Sequence, residues 1–242
     1  MGGVESNKLI NVINHINMTN ELSPVLKFIA DATRQDEPIP SISELSSQLG
    51  ISTASVREQL EVPKELGFVD VRTKTGIQKH HFCLTRPLTL SMTYGMRVDP
   101  EIFLEYASLR RQLEIVYWYE ACALLEKSHI QELQELVDRA SWKIIQNPVV
   151  IPMSEHRKFH LTIYRPLNNR VLNSVLETYW DLYEESRINY YRNHEYLESV
   201  WSYHRLMLDA IASKAYEKGY EALVTHFDLM KTFKKADLRQ RF

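Results

Sequence analysis

The stretch from Ser41 to Phe82 limits the possible folds of this chain more than any other. Ser41-Ile42-Ser43-Glu44 has the form of a capping box, in which a serine and a glutamate three residues on satisfy orphan backbone donors and open a helix. Leu45 and Leu49 put apolar groups on one side of that helix, and Gly50 closes it. Ile51 then reads as a buried turn residue and Ser52 as the cap of a second helix, whose Val56 and Leu60 face inward. Leu66-Gly67 ends that helix. Phe68 to Val71 reads as a strand, Thr73 to Gly76 as a turn, and Ile77 to Leu84 as a returning strand. A helix-turn-helix followed by a hairpin predicts a winged helix.

The outer side of the second helix presents Thr53, Ser55, Arg57 and Gln59, groups of a size and polarity that fit a DNA major groove. A net charge of −2, from 29 basic and 31 acidic residues, excludes a global positive field, so a nucleic-acid surface has to be local. One exists: from Val71 to Val98 there is no acidic residue, while Arg72, Lys74, Lys79, Arg86 and Arg97 are basic. The candidate DNA contacts are Ser43, Ser52, Thr53, Ser55, Arg57, Arg72, Lys74, Gly76 and Lys79. Pro63 lacks a backbone donor and predicts a kink or an early end after Val62. Upstream, Leu22, Val25, Leu26 and Ile29 recur at helical spacing behind Ser23 and Pro24, and the run breaks at Asp36-Glu37-Pro38-Ile39-Pro40. Before that, Leu9, Ile10, Val12, Ile13 and Ile16 form a marginal helical patch.

With 242 residues the chain has room for two ordinary domains. Its 44% apolar and 25% charged residues exclude wholesale disorder, and seven glycines argue against a glycine-rich nucleotide fold. Two cysteines, Cys83 and Cys122, are too few for a disulfide scaffold or a thiolate zinc site and are expected as buried reduced thiols. No apolar run is long enough to cross a bilayer and no leader is visible, so a soluble, cytoplasmic protein with no membrane partner is expected. The expected division is a winged-helix domain over 1–86, a linker over 87–98 marked by Pro87 and Gly95, and an all-helical domain over 99–242. The fold class is mainly α, a winged helix-turn-helix followed by an antiparallel α-helical bundle. In the second domain Asp99 and Pro100 suit a helix start, and Phe103, Tyr106, Leu109, Leu113, Val116 and Tyr117 form an apolar face. Further helices are expected around 129–146, 153–165, 169–190, 195–212 and 215–235.

Four histidines stand out in that domain: His156, His160, His204 and His226. The first two are four apart, so on a helix their imidazoles project from one face and could share an ion. His204 and His226 each neighbour apolar residues on expected helices. Neutral imidazoles suit borderline divalent metals, although a lone pair at this spacing more often consists of satisfied core or surface histidines.

Ser41-(x)2-Glu44-Leu45-(x)3-Leu49-Gly50-Ile51-Ser52-(x)3-Val56-Arg57-Glu58-(x)-Leu60, with Gly67-Phe68-Val69 and Gly76, resembles the DNA-binding domain of the GntR family of bacterial transcription regulators. Arginine is usual in that family where this chain has Ser43 and Thr53, and an apolar residue where it has Pro63; the two missing arginines bear on the operator sequence. His156-(x)2-Phe159-His160, Asn169-(x)2-Leu172, His204-(x)4-Asp209-Ala210-Ile211 and His226, with Leu109-Arg110-(x)2-Leu113-Glu114, are similar to the C-terminal effector domain of the FadR branch, the FCD type. Many members hold a divalent metal there through one aspartate and three histidines. On that pattern His160, His204 and His226 fall on the histidines and His156 on the aspartate. The resemblance implies a homodimer that binds a double-stranded DNA operator and is controlled by a small carboxylate effector at the open positions of the metal. Arg110 reads either as the partner of that effector's charge or as one half of a surface or structural salt bridge. An all-nitrogen ligand set favours Zn²⁺ or Ni²⁺ over Mg²⁺ or Ca²⁺.

Two rivals remain at this level. Some relatives bind an acyl thioester without metal, and a tunnel lined by Tyr117, Trp118, Trp180, Tyr183 and Tyr190 would suit such a ligand, although these aromatics also read as plain core. A metal-dependent hydrolase is the other; Arg157 stands where His-Glu-x-x-His would need glutamate, leaving Glu155 to serve. The resemblance favours a regulator without catalytic residues.

Overall fold

The computed structural model describes residues 22–72, 76–185 and 194–229. The chain divides into two units, Met1–Cys83 and Leu84–Phe242. The first contains α1 (Pro24–Arg34), α2 (Ile42–Leu49), α3 (Thr53–Glu65) and a hairpin of β1 (Val69–Arg72) and β2 (Gly76–Lys79). The start signals act as their chemistry dictates. Ser41 Oγ accepts from Glu44 N (3.4 Å) while Glu44 Oε2 accepts from Ser41 N (2.8 Å), and Ser52 Oγ accepts from Ser55 N (3.1 Å). Gly50 ends α2 at φ 66°, where a side chain would be strained. Val25, Ile29, Leu45, Val56, Leu60, Val69 and Ile77 close into one core, with Val71 opposite Ile77 in the antiparallel hairpin.

Three expectations for this unit fail. Pro63 does not end α3 early: the helix continues to Glu65 with Leu66 N donating to Val62 O (3.0 Å). Its missing donor falls in the last turn, and its ring is buried in the core side of the helix. The returning strand ends at Lys79 rather than Leu84, followed by a single further bond from His80 N to Phe68 O (2.8 Å). Cys83 is exposed, whereas Cys122 is buried as expected and its thiol is pushed up to about 12 by desolvation. The patch Leu9 to Ile16 and the turn residue Lys74 lie outside the described residues.

The second unit is helical throughout its described residues: α4 (Thr85–Val98), α5 (Ile102–Ala123), α6 (Lys127–Ile144), α7 (Met153–Tyr164), a short 3₁₀ turn (Arg165–Leu167), α8 (Arg170–Glu185), α9 (His194–Ala212) and α10 (Tyr216–Leu229). The stretch expected as a linker, 87–98, is helix. Leu88, Met92 and Met96 lie on successive turns of α4 and pack on Phe103, Tyr106, Tyr179, Trp180 and Tyr183. The hydroxyls that hide this periodicity have partners, Thr85 Oγ1 donating to Glu177 (3.0 Å) and Thr89 Oγ1 to Thr178 Oγ1 (3.4 Å). Asp99 does not cap a helix at Pro100; it accepts from Glu101 N (3.0 Å), and α5 begins at Ile102. The expected ends of the helices over 169–190 and 215–235 lie beyond Glu185 and Leu229, outside the described residues.

Helix α5 runs through the bundle against α7, α8 and α10, while α6 packs on α7 and α9, and α9 on α10. Its buried face differs from the apolar stripe read in the sequence. Arg110 and Glu114 are buried, while Leu109 and Val116 are 47% and 73% exposed. Trp118 on the same face is fully buried and donates from Nε1 to Tyr216 O (2.9 Å). Gly219 on α10 makes room for it: a Cβ there would stand 2.5 Å from Trp118 Cζ2 and 3.1 Å from Ala210 Cβ. Alanine is the better helix former by about 1 kcal/mol, but overpacking of a closed core costs about 1 to 3 kcal/mol. Gly219→Ala is therefore expected to lower stability, read as a lower denaturant midpoint at unchanged slope. A raised midpoint would show that the contact relaxes freely. Among the described residues no helix is long and apolar enough to cross a membrane.

Candidate functional site

His156 and His160 sit one turn apart on α7, His204 on α9 and His226 on α10, and all four are buried. The structure brings them together: one ligand atom from each lies within 4.8 Å of the others. Ring centroids are 4.5 Å apart for His204 and His226 and 5.2 Å for His160 and His226. Burial, reinforced by Arg110 and, for all but His160, by neighbouring imidazoles, holds all four well below the usual histidine pKa. They are neutral near pH 7, the form that offers a lone pair to a metal.

Two of the four rings are oriented from behind. His160 Nδ1 lies 2.6 Å from Glu114 Oε2, and His204 Nδ1 lies 2.7 Å from Val200 O, the carbonyl one turn earlier on α9. Their Nε2 atoms face each other at 3.2 Å. When both Nδ1 atoms donate, two lone pairs meet at that distance, and a cation or a proton has to lie between them. Two nitrogens on one zinc at the usual bond length would be about 3 Å apart. His156 Nε2 and both nitrogens of His226, by contrast, are buried without a hydrogen-bond partner. An apolar core leaves such groups orphaned only at a cost of roughly 1 to 3 kcal/mol each. The donor set therefore fits a borderline divalent metal, with some contraction of the widest spacing.

Arg110, expected at the effector, is buried beside this cluster. Its Nε donates to Glu114 Oε1 (2.5 Å), and its guanidinium carbon lies 4.3 Å from the Tyr179 ring centroid and 4.4 Å from that of Trp180. Burial works against its charge, and Glu114 and Tyr179 more than offset that, so its pKa is raised. Burial likewise pushes the Glu114 carboxyl up, against the pull of Arg110. Arg110 Nη2 and Trp180 Nε1 are buried donors with no acceptor among the described residues. Glu114 and the Val200 carbonyl had no assigned role in the sequence reading. The signal for Glu114 was its place four residues after Arg110 on one helix face, an acid where the apolar stripe should continue. The Val200 carbonyl has no sequence signal at all.

The candidate DNA contacts divide by what already holds them. Thr53 and Arg57 are exposed on one side of α3, and Arg57 has no ion pair among the described residues. Ser52 is occupied as the N-cap, and Ser55 Oγ is 3.1 Å from Gln59 Nε2. Gln59, read as outward-facing, instead accepts from Val25 N (3.2 Å) and ties α3 to the start of α1. Ser43 is exposed, its hydroxyl 3.1 Å from that of Ser41. Gly76 opens β2 at φ 74°, and Arg72 lies 3.4 Å from Asp70. Lys79 is held by Asp36 (2.8 Å) and by the carbonyls of Glu37 (2.9 Å) and Ala32 (3.4 Å), which ties β2 to the end of α1.

The family model for the FCD domain matches residues 105–229, just over half of the chain. Among solved structures, GntR of Streptococcus agalactiae aligns over 86% of this chain and 96% of its own at 14% identity, with a TM-score of 0.57. McbR/YncC of E. coli aligns over 91% and 99% at 20% identity with a TM-score of 0.48, and a GntR family transcriptional regulator of Pseudomonas syringae pv. tomato over 88% and 80% at 21% identity with a TM-score of 0.42. No curated protein matches the chain in sequence. The matched region begins within α5 and ends with α10, so it takes in all four histidines together with Arg110 and Glu114; the chain belongs to the FCD domain family, built on the fold of a GntR regulator.

Proposed function

We propose that the chain is a homodimeric, cytoplasmic transcription regulator that binds a double-stranded operator through α3 and whose DNA affinity is set by a small carboxylate at a Zn²⁺ or Ni²⁺ ion on His156, His160, His204 and His226. The observation that carries the reading is the meeting of four neutral, buried imidazoles with the Nε2 atoms of His160 and His204 only 3.2 Å apart. Bound there, the metal would supply Lewis-acid attraction for carboxylate oxygens. The unpartnered donors Arg110 Nη2 and Trp180 Nε1 support an anionic, acceptor-bearing effector rather than an apolar one. On this reading Thr53 and Arg57 reach base edges or phosphates, with Ser43, Ser52, Ser55, Arg72, Lys74, Gly76 and Lys79 around them. An effector changes operator affinity by preferring one dimer geometry, ordinarily with about 1 to 3 kcal/mol of coupling.

The rivals find less support. Trp118 is buried in the main core with Tyr117 packed against it, Trp180 and Tyr183 are buried in the smaller aromatic core, and Tyr190 lies outside the described residues. Glu155, the base a hydrolase would need, has both carboxylate oxygens 2.8 Å from Lys143 Nζ. The test is elemental analysis of protein purified without an affinity tag, followed by thermal melting with Zn²⁺, Ni²⁺ and a series of small carboxylic acids. An ion at a hundredfold excess over its Kd adds about 2.7 kcal/mol, which for a chain of this size raises the Tm by roughly 5 to 10 °C. Protein that carries no metal and melts unchanged with every ion would sink the proposal.

A further inference from the structure

Two of the four imidazoles are aimed before any ion arrives, and they are aimed by different means. His204 uses a carbonyl of its own helix, whereas His160 depends on a carboxylate from α5: Glu114 Oε2 lies 2.6 Å from His160 Nδ1, and Glu114 Oε1 is 2.5 Å from Arg110 Nε. Tyr164 OH donates to the Glu114 carbonyl (2.8 Å), a bond to the backbone rather than to the carboxylate. We propose that Glu114 is a positioning residue for the metal: it accepts a hydrogen bond from the Nδ1–H of His160, directs Nε2 of that ring toward the ion, and is itself held by Arg110. The inference rests on the metal reading above but concerns a residue that contributes no ligand atom.

The physical argument is one of donors and acceptors. A carboxylate offers two acceptor oxygens: one faces the Arg110 Nε–H, and the other faces His160 Nδ1, which carries the proton when Nε2 is left to the ion, so both oxygens have to accept. Such an outer partner fixes the ring's orientation, makes the ligating nitrogen more basic, and its loss costs roughly 10- to 100-fold in metal affinity. Glutamine has nearly the shape of glutamate but only one acceptor oxygen. Its NH₂ must then point at either Arg110 Nε or His160 Nδ1, donor against donor.

The experiment compares wild type with Glu114→Gln in the full chain. Zn²⁺ affinity is measured by competition with a chromophoric chelator, and the Nδ1–H of His160 is observed by ¹⁵N–¹H correlation of the imidazoles in the Zn²⁺-loaded protein. The expected result is a 10- to 100-fold weaker Kd in Glu114→Gln, with a wild-type His160 that ligates through Nε2 and carries a slowly exchanging Nδ1–H. Tyr164→Phe serves as the control for packing damage at the same position and is expected to keep wild-type affinity. Affinity within twofold of wild type in Glu114→Gln, or Tyr164→Phe weakened equally, overturns the inference. If Glu114→Gln fails to fold, the wild-type spectrum decides alone, because ligation of His160 through Nδ1 also overturns it. Wild-type protein that takes up neither Zn²⁺ nor Ni²⁺ removes the metal reading and this inference together, whereas uptake undiminished by the glutamine removes only the inference.

Discussion

His204→Ala is expected to lower Zn²⁺ or Ni²⁺ affinity by about a hundredfold or more, and His160→Ala to do the same. A four-ligand site of this kind is worth about 10 to 16 kcal/mol of apparent binding free energy, or roughly 3 kcal/mol per ligand, and 1.36 kcal/mol is about one decade. Both rings also fill space: His204 lies 4.6 Å from Phe159 and 4.5 Å from Trp201 between ring centroids, so truncation will leave a cavity and lower the Tm for reasons unrelated to metal. The decisive quantity is therefore the difference in Tm with and without ion, measured in each variant. Wild type should lose several degrees when the ion is stripped by chelator, while His204→Ala should melt at nearly the same temperature in both states. His194→Ala, which alters an exposed histidine outside the cluster, should keep the full wild-type difference. A His204 variant that still gains the wild-type increment with Zn²⁺ would show that the ion binds elsewhere.

The sequence made the four histidines legible and the groups that hold them illegible, for a physical reason. Histidine is scarce, so four of them on expected helices stand out, and the i, i+4 spacing of His156 and His160 already places two on one face. The groups that aim them carry no such mark. Glu114 and Arg110 interrupt the apolar periodicity of α5, and a stripe drawn through Leu109, Leu113 and Val116 passed them by. In the fold the helix is turned so that the two charges face the histidines and Leu109 and Val116 face outward. The same loss of periodicity hid α4, where hydroxyls and Gly95 alternate with Leu88, Met92 and Met96; only the aromatic cluster against which these pack makes the segment a helix rather than a linker. The winged helix was read more closely because its boundaries are local chemistry. A capping box and a left-handed glycine act within a few residues and need no tertiary partner. Pro63 shows the limit of that logic, since the helix continues past it to Glu65 where the missing donor predicted a kink or an early end.

Arg57→Ala is expected to weaken operator binding by between about tenfold and a hundredfold per half-site, since one good arginine contact to a base is worth about 1 to 3 kcal/mol. The choice of residue follows from what is already held. Lys79 is engaged by Asp36 and two carbonyls, Arg72 lies beside Asp70, and the hydroxyls of Ser52 and Ser55 are taken up within α3. Arg57 is exposed on α3 with no ion pair among the described residues, so bringing it to DNA breaks nothing. For the same reason its removal should change folding stability by no more than about 0.5 kcal/mol, which separates a binding defect from an unfolded protein. Lys79→Ala should behave in the opposite way, losing the tie between β2 and the end of α1 and therefore more stability than affinity. The measurement is a titration of each variant, at fixed salt, against a duplex that wild-type protein has selected from a random pool, and against an unselected duplex. If Arg57 reads a base, its loss falls mainly on the selected duplex; if it meets only phosphate, both affinities drop alike and the dependence on salt becomes shallower by about one counterion. Wild-type affinity on both duplexes would move the contact surface away from α3 altogether.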